Sequence, residues 1–274
     1  MRQVSAIALA GFLAGGASAA EPAYDVVIRN GTIYDGSGGA GYQGDVAVKG
    51  DRIAAIAPHV TGKGRTEIDA KGKAVSPGFV NMLSHVEESL LVDGRAVSDL
   101  VQGVTLEVLG EDSMGPLSPE MKSLMAQRQS DIKYDVDWTT LGQYLDKLQA
   151  KGISPNIASF VGAGTVRTNL LGEADVQPTP EQLAAMQKLV RQAMEEGALG
   201  VTDALIYSPN TYAKTPELIA LAKISAGAPE ASAMSMVSWI ASRKRSPSLR
   251  MWAMYMPPHC AEALARAISS GVLA

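Results

Sequence analysis

Three side chains able to hold a metal or move a proton stand at the ends of apolar runs in this chain. His85 closes the run Phe79-Val80-Asn81-Met82-Leu83-Ser84-His85, and Glu111 and Asp112 follow Thr105-Leu106-Glu107-Val108-Leu109-Gly110. Imidazole nitrogens and carboxylate oxygens are both zinc donors, and both act as general acids or bases. Tyr207 adds a phenol near the end of a further run from Gly200. Each residue also has an ordinary reading. A lone His at a strand end is commonly a hydrogen-bonded structural residue, Glu111 and Asp112 fit a solvated loop, and Tyr207 fits a packing role on a rim. Which of the two carboxylates points inward stays open. If it is Glu111, strand alternation turns Glu107 to the same face, where burial is costly without a partner or a bulge that resets the register.

The elements that must position these residues change character along the chain. Residues 24 to 76 hold short Val- and Ile-rich runs punctuated by Asn30-Gly31, Asp35-Gly36, Lys49-Gly50 and Lys71-Gly72. The pattern predicts a small antiparallel sheet. Beyond residue 78, buried strands are predicted over Phe79 to His85, Thr105 to Gly110, Ile157 to Gly162 and Gly200 to Tyr207. Helical patterns lie between them, over Glu88 to Gln102, Pro119 to Gln129, Thr139 to Ala150 and Pro180 to Glu196, with another starting near Thr215. Alternation of this kind implies parallel βα units. Four units are visible, whereas a closed barrel needs eight strands and typically about 250 residues. Half a barrel is expected.

In this order the segments resemble the opening of the amidohydrolase superfamily and, within it, the N-acyl-D-amino-acid deacylases. The resemblance runs to Thr215-Pro216-Glu217-Leu218-Ile219-Ala220-Leu221-Ala222-Lys223. It implies an α/β fold, a partial (about half) TIM-type (β/α)8 barrel preceded by a small β-sandwich domain, with zinc as cofactor in the complete family member. The family places a His-x-His pair at the end of the first barrel strand. Here Leu83 and His85 occupy those positions, with Asn81 where Asp is usual, so one imidazole of the chelate is absent. Glu111 and Asp112 match a segment in which many D-aminoacylases carry a zinc-binding cysteine. Val161-Gly162-Ala163-Gly164-Thr165-Val166-Arg167 resembles a family loop that usually has His where Ala163 stands. Glu196 to Ala213 is close to the fourth-strand segment, and Tyr207 matches a residue that contacts substrate there. The resemblance thus implies His85, Glu111 and Asp112 as metal ligands and Tyr207 as a substrate contact, and leaves the catalytic residue unknown. The remaining family ligands, two histidines and a catalytic aspartate, fall after Lys223, where His259 stands alone in Pro257-Pro258-His259-Cys260 and takes none of these roles.

Composition sets further bounds. Met1-Arg2-Gln3, the apolar run Val4 to Gly16 and Ala17-Ser18-Ala19 have the layout of a secretory signal peptide over residues 1–19, which predicts a periplasmic or secreted protein. A small β domain over 20–77 and the half-barrel over 78–223 follow. Other than the signal segment, no stretch reaches the roughly 18 apolar residues of a membrane span. The net charge of −4 gives no reason to expect nucleic acid. The single cysteine, Cys260, allows no internal disulfide.

Residues 224–274 read as an aberrant tail. They hold two acidic residues, Glu230 and Glu262, against five basic ones, Arg243, Lys244, Arg245, Arg250 and Arg266. No clean strand is legible there, and one helix is, over Pro258 to Ser270. A reading-frame shift or an alternative end replacing the second half of a longer protein accounts for the change, with a divergent C-terminal region as the other reading. Loose packing of the tail is expected.

The resulting expectation is a metal-dependent amidohydrolase type that hydrolyses a linear amide C–N bond of a small N-acyl amino acid. The chain by itself is expected to be inactive, to bind zinc weakly and to self-associate through open barrel edges. A non-catalytic fragment or binding module is one alternative. A cyclic-amide hydrolase related to dihydroorotase or hydantoinase is another, disfavoured by Leu205-Ile206-Tyr207-Ser208-Pro209-Asn210-Thr211-Tyr212-Ala213. The coding sequence around codon 223 discriminates among them most directly.

Overall fold

A computed structural model describes residues 21–227; residues 1–20 and 228–274, which hold the stretch expected to be a signal peptide and nearly all of the expected tail, lie outside the described residues. Two compact units are present. Among the described residues, one takes in 21–32 with Gln43–Lys73, and the other Ile33–Tyr42 with 74–227.

The first unit is one mixed sheet, where antiparallel strands in a sandwich are expected from the turn signals. β1 (Tyr24–Ile33), β2 (Tyr42–Lys49), β3 (Arg52–Ala57) and β4 (Gly64–Asp69) stand in the order β3-β2-β1-β4. β2 and β3 form an antiparallel hairpin across Gly50, whose φ of +60° suits glycine. β1 and β4 pair in parallel, Tyr24 opposite Gly64 and Arg29 opposite Asp69. Asn30-Gly31 is not a turn but lies inside β1. Asn30 takes a φ of 55° there, and the conformation is held because its amide donates to Asp45 Oδ1 (2.9 Å) and its side chain donates to Asp69 Oδ1 (3.0 Å). Val27, Ala47 and Val60 make the small core. Beside it the buried Asp45 carboxylate accepts from the Asn30 and Val60 amides and from Arg29 Nη1 at 3.0 Å. Burial alone would raise its pKa, but these donors outweigh burial and hold it below the usual value.

In the second unit, short β5 (Ala74–Val75) leads to β6 (Phe79–Asn81), α1 (Glu87–Val92), α2 (Val97–Leu100), β7 (Val104–Leu109), α3 (Pro119–Arg128) and α4 (Leu141–Lys151). There follow β8 (Asn156–Ser159), β9 (Val161–Gly162), α5 (Ala163–Leu171), α6 (Pro180–Glu195), β10 (Val201–Thr202) and α7 (Thr215–Ala226). β6, β7 and β8 are parallel neighbours, and so are β9 and β10. The Phe160 amide donates to Leu109 O (2.8 Å) and the Val161 amide to Gly200 O (2.9 Å), so β8 and β9 act as one kinked strand between β7 and β10. The four βα units are those of half a barrel.

Helix starts follow local chemistry. Thr140 with Gln143 and Thr179 with Gln182 form capping boxes, and Ser118 accepts from the Met121 amide just before Pro119. Leu90, Trp138, Leu141, Tyr144, Leu148, Val161, Val166, Met186, Val190 and Leu221 fill the layer between helices and strands, each buried side chain contributing about 1.5–3 kcal/mol. Trp138 Nε1 donates to Met114 O (2.5 Å), and the Tyr144 hydroxyl to Glu87 O (3.0 Å).

Several expectations are corrected. The helix over Glu88 to Gln102 is two helices, broken where Asp93 turns extended and Arg95 folds back onto its carboxylate at 2.7 Å. Gly94 is required at the break, since a Cβ there would lie 2.7 Å from Gly152 O. The stretch from Ala163, read as a family loop, is the helix α5. The strands over Phe79 to His85 and Gly200 to Tyr207 shrink to Phe79–Asn81 and Val201–Thr202, and Leu205, Ile206 and Tyr207 are exposed rather than buried. α7 runs through Lys223, where the change of composition begins, to Ala226.

Candidate active site at the strand ends

Backbone ladders bring His85 and Glu111 together at the C-terminal ends of the strands. The Ser84 amide donates to Val108 O (2.9 Å), which carries the chain past β6 to the end of β7. His85 Nε2 then stands 3.5 Å from Glu111 Oε2. The Glu111 segment is held from its other side. Ser113 Oγ accepts from the Gly162 amide (3.0 Å), Thr165 Oγ1 donates to Ser113 O (3.2 Å), and Thr202 Oγ1 donates to Gly110 O. Gly162 is needed here, because a Cβ would lie 2.7 Å from Glu111 O.

The carboxyls around this pair share one electrostatic field. Asp112 is pushed up, first by burial of its carboxyl and then by Glu111, with His85 opposing. Glu87 is pushed up by burial, against its own backbone amide and His85, while Asp112 adds to the rise. Asp203, just past β10, has both oxygens buried without a hydrogen-bond partner. Burial raises it most, the Ala204 amide and Arg167 oppose, and Glu217 and Asp112 add. Glu87 and Asp203 were not legible as site residues. The signal available was the same one that marks Glu111, a carboxylate just past a strand end, but Glu87 reads as the lead-in to a helix and Asp203 as an interior position of a longer strand.

Glu107 faces inward and is fully buried; neither carboxylate oxygen has a hydrogen-bond partner, nor has the buried Ser84 Oγ. Burial raises Glu107, and the polar groups of Ser84 and Asn81 oppose this without reaching hydrogen-bond geometry. Behind Asp203 lies a buried ion pair, Arg167 Nη1 to Glu217 Oε2 at 2.5 Å, with Arg167 Nη2 donating to Val176 O. Tyr207 is exposed in the turn after β10, its amide donating to Ala204 O (3.1 Å), and no contact draws it to the His85–Glu111 pair.

Among the described residues, no group of three or more His, Cys, Asp or Glu side chains is arranged to hold a metal ion. Zinc sites take at least three protein ligands. His85 and Glu111 supply two donors, Asp112 stays outside the set, and Leu83 has no donor atom, so the described residues do not by themselves fit a zinc site.

A parallel half-barrel with an imidazole and a carboxylate meeting at its strand ends has the layout of amidohydrolases. No family model matches the chain, but individual relatives do. The D-aminoacylase of Alcaligenes xylosoxydans xylosoxydans is 32% identical over 201 residues, 72% of this chain and 41% of that protein. A solved D-aminoacylase that defines a novel subset of amidohydrolases superposes with a TM-score of 0.65 and 30% identity, covering 73% of this chain and 43% of its own. The N-acyl-D-glutamate deacylase of Bordetella bronchiseptica, solved with zinc and a phosphonate mimic of the tetrahedral intermediate, gives a TM-score of 0.65 at 26% identity, covering 80% and 49%. D-aminoacylases and N-acyl-D-amino-acid deacylases are homologues of this chain, which spans about two fifths of the length of the curated D-aminoacylase it matches.

Proposed function

We propose that this chain carries the first four βα units of an amidohydrolase of the N-acyl-D-amino-acid deacylase type, whose substrate is a small N-acyl amino acid cleaved at its linear amide bond. The observation that carries the reading is the His85–Glu111 pair at the mouth of a half-barrel similar to D-aminoacylases over nearly three quarters of the chain. His85 and Glu111 are the metal-directed side chains of this half, Asp112 stands beside them in reserve, and Tyr207 on the rim faces incoming substrate. With two donors in place, the chain alone does not turn over. Residues 1–19 direct it to the periplasm or beyond.

A chimera tests the reading. Residues 1–223 joined to the matching remainder of the Alcaligenes D-aminoacylase should release amine from N-acetyl-D-amino acids, and His85→Ala should abolish this. A folded, zinc-loaded chimera that opens hydantoin rings but leaves N-acetyl-D-amino acids intact would overturn it.

A further inference from the structure

Glu107 on β7 is 0% exposed, and both of its carboxylate oxygens lack a hydrogen-bond donor. Ser84 Oγ, on a residue 2% exposed, lacks a partner as well. Backbone pairing sets the two side by side. Asn81 stands opposite Glu107 in the parallel β6–β7 ladder, and three residues on the Ser84 amide donates to Val108 O at 2.9 Å. Ser84 and Asn81 are the polar side chains that act on the Glu107 carboxyl, while Asp99 on α2 adds a like charge. Among the described residues, no Lys, Arg or His balances that carboxyl. A buried carboxylate left in this way is costly, and buried charges are paired or coordinate a metal.

The three side chains offer oxygen. Glu107 brings two carboxylate oxygens, Ser84 a hydroxyl, and Asn81 a carboxamide oxygen that accepts from the Leu83 amide at 3.4 Å and keeps a second lone pair. Oxygen sets of this kind suit hard cations. One carboxylate is neutralised by a single positive charge, whereas a divalent ion would leave net charge buried among apolar neighbours.

We propose that Glu107, Ser84 and Asn81 hold a monovalent alkali cation, sodium or potassium, between β6 and β7. The cation supplies the positive charge that the pocket lacks and ties the end of β6 to β7. It is structural and takes no part in amide cleavage. Its site is separate from the His85–Glu111 pair. The His85 side chain is 67% exposed where Ser84 is buried, so these neighbours turn to opposite sides of the chain. Gly110, with φ of +111°, redirects the backbone between Glu107 and Glu111. The cation binds the ionised carboxylate, and without it Glu107 holds a proton instead.

Thermal melts of the full chain in sodium, potassium and tetramethylammonium chloride at equal ionic strength test this, since general screening is the same in all three. At about pH 8, above the ordinary carboxylate range, sodium or potassium should raise the midpoint over tetramethylammonium by about 2–4 °C or more. Glu107→Gln keeps the side-chain volume and should remove the difference, and Ser84→Ala should diminish it. The sodium NMR line should broaden in the presence of the chain and narrow again for Glu107→Gln. Equal midpoints in the three salts, a difference that survives Glu107→Gln, or stabilisation by calcium where sodium gives none would overturn the proposal.

Discussion

His85 Nε2 and Glu111 Oε2 approach to 3.5 Å across the ends of two adjacent parallel segments, although 26 positions separate them in the chain. The His85 side chain is 67% exposed, so the contact adds little to folding and its value is in placing two donor atoms together. His85→Ala and Glu111→Gln should each change unfolding free energy by no more than about 0.5 kcal/mol. Urea titrations of the two single variants and the double variant measure this, and a coupling above about 1 kcal/mol would mark the pair as structural instead.

The buried Glu107 carboxyl gives a pH dependence of definite sign. Its folded pKa is raised, so between the unfolded value near 4.3 and the raised value the native state binds more protons than the unfolded state, and stability falls as pH rises through that window. Glu107→Gln should remove this slope and stabilise the protein above it by on the order of 1 kcal/mol. Urea midpoints from pH 4 to pH 8 test it; parallel curves for the two proteins would refute it.

Asp45 works in the opposite direction. Its folded pKa is lowered by the Asn30 and Val60 amides and Arg29, so its contribution is present above about pH 4 and is lost as pH falls through the lowered folded value. Asp45→Ala should cost about 1–3 kcal/mol. Hydrogen exchange at the Asn30 and Val60 amides should quicken in the variant at neutral pH, and unchanged protection there would contradict the assignment.

Arg167 and Glu217 tie α5 to α7 with both side chains buried. Glu217→Ala leaves a buried guanidinium facing an apolar layer and should destabilise the half-barrel by about 3–5 kcal/mol. A thermal melt close to that of the unaltered chain would show that water or Asp203 takes over the partnership.

Much of the scaffold was legible because it is local. The starts of α3, α4 and α6 follow from Ser118-Pro119, Thr140 with Gln143 and Thr179 with Gln182, and β7 follows from an apolar run bounded by Gly103 and Gly110. What was not legible depends on distant partners. The parallel pairing of β1 with β4 and the folding of Asn30-Gly31 into a strand are set by Asp45 and Asp69, far along the chain. α5 was obscured because Gly162, Gly164, Thr165 and Val166 are poor helix formers, and burial of Ala163 through Arg167 overrides that preference. Glu111 was foreseeable from its place after a strand, whereas Glu87 and Asp203 become site residues only through burial and neighbouring charge.

Zinc content after gel filtration tests the central claim most directly, that among the described residues the strand ends bring together two metal donors and no third. Atomic emission on the purified full chain should find well below one zinc per chain, with no change in His85→Ala and no amine released from N-acetyl-D-amino acids. One zinc per chain, lost in His85→Ala together with measurable turnover, would contradict it.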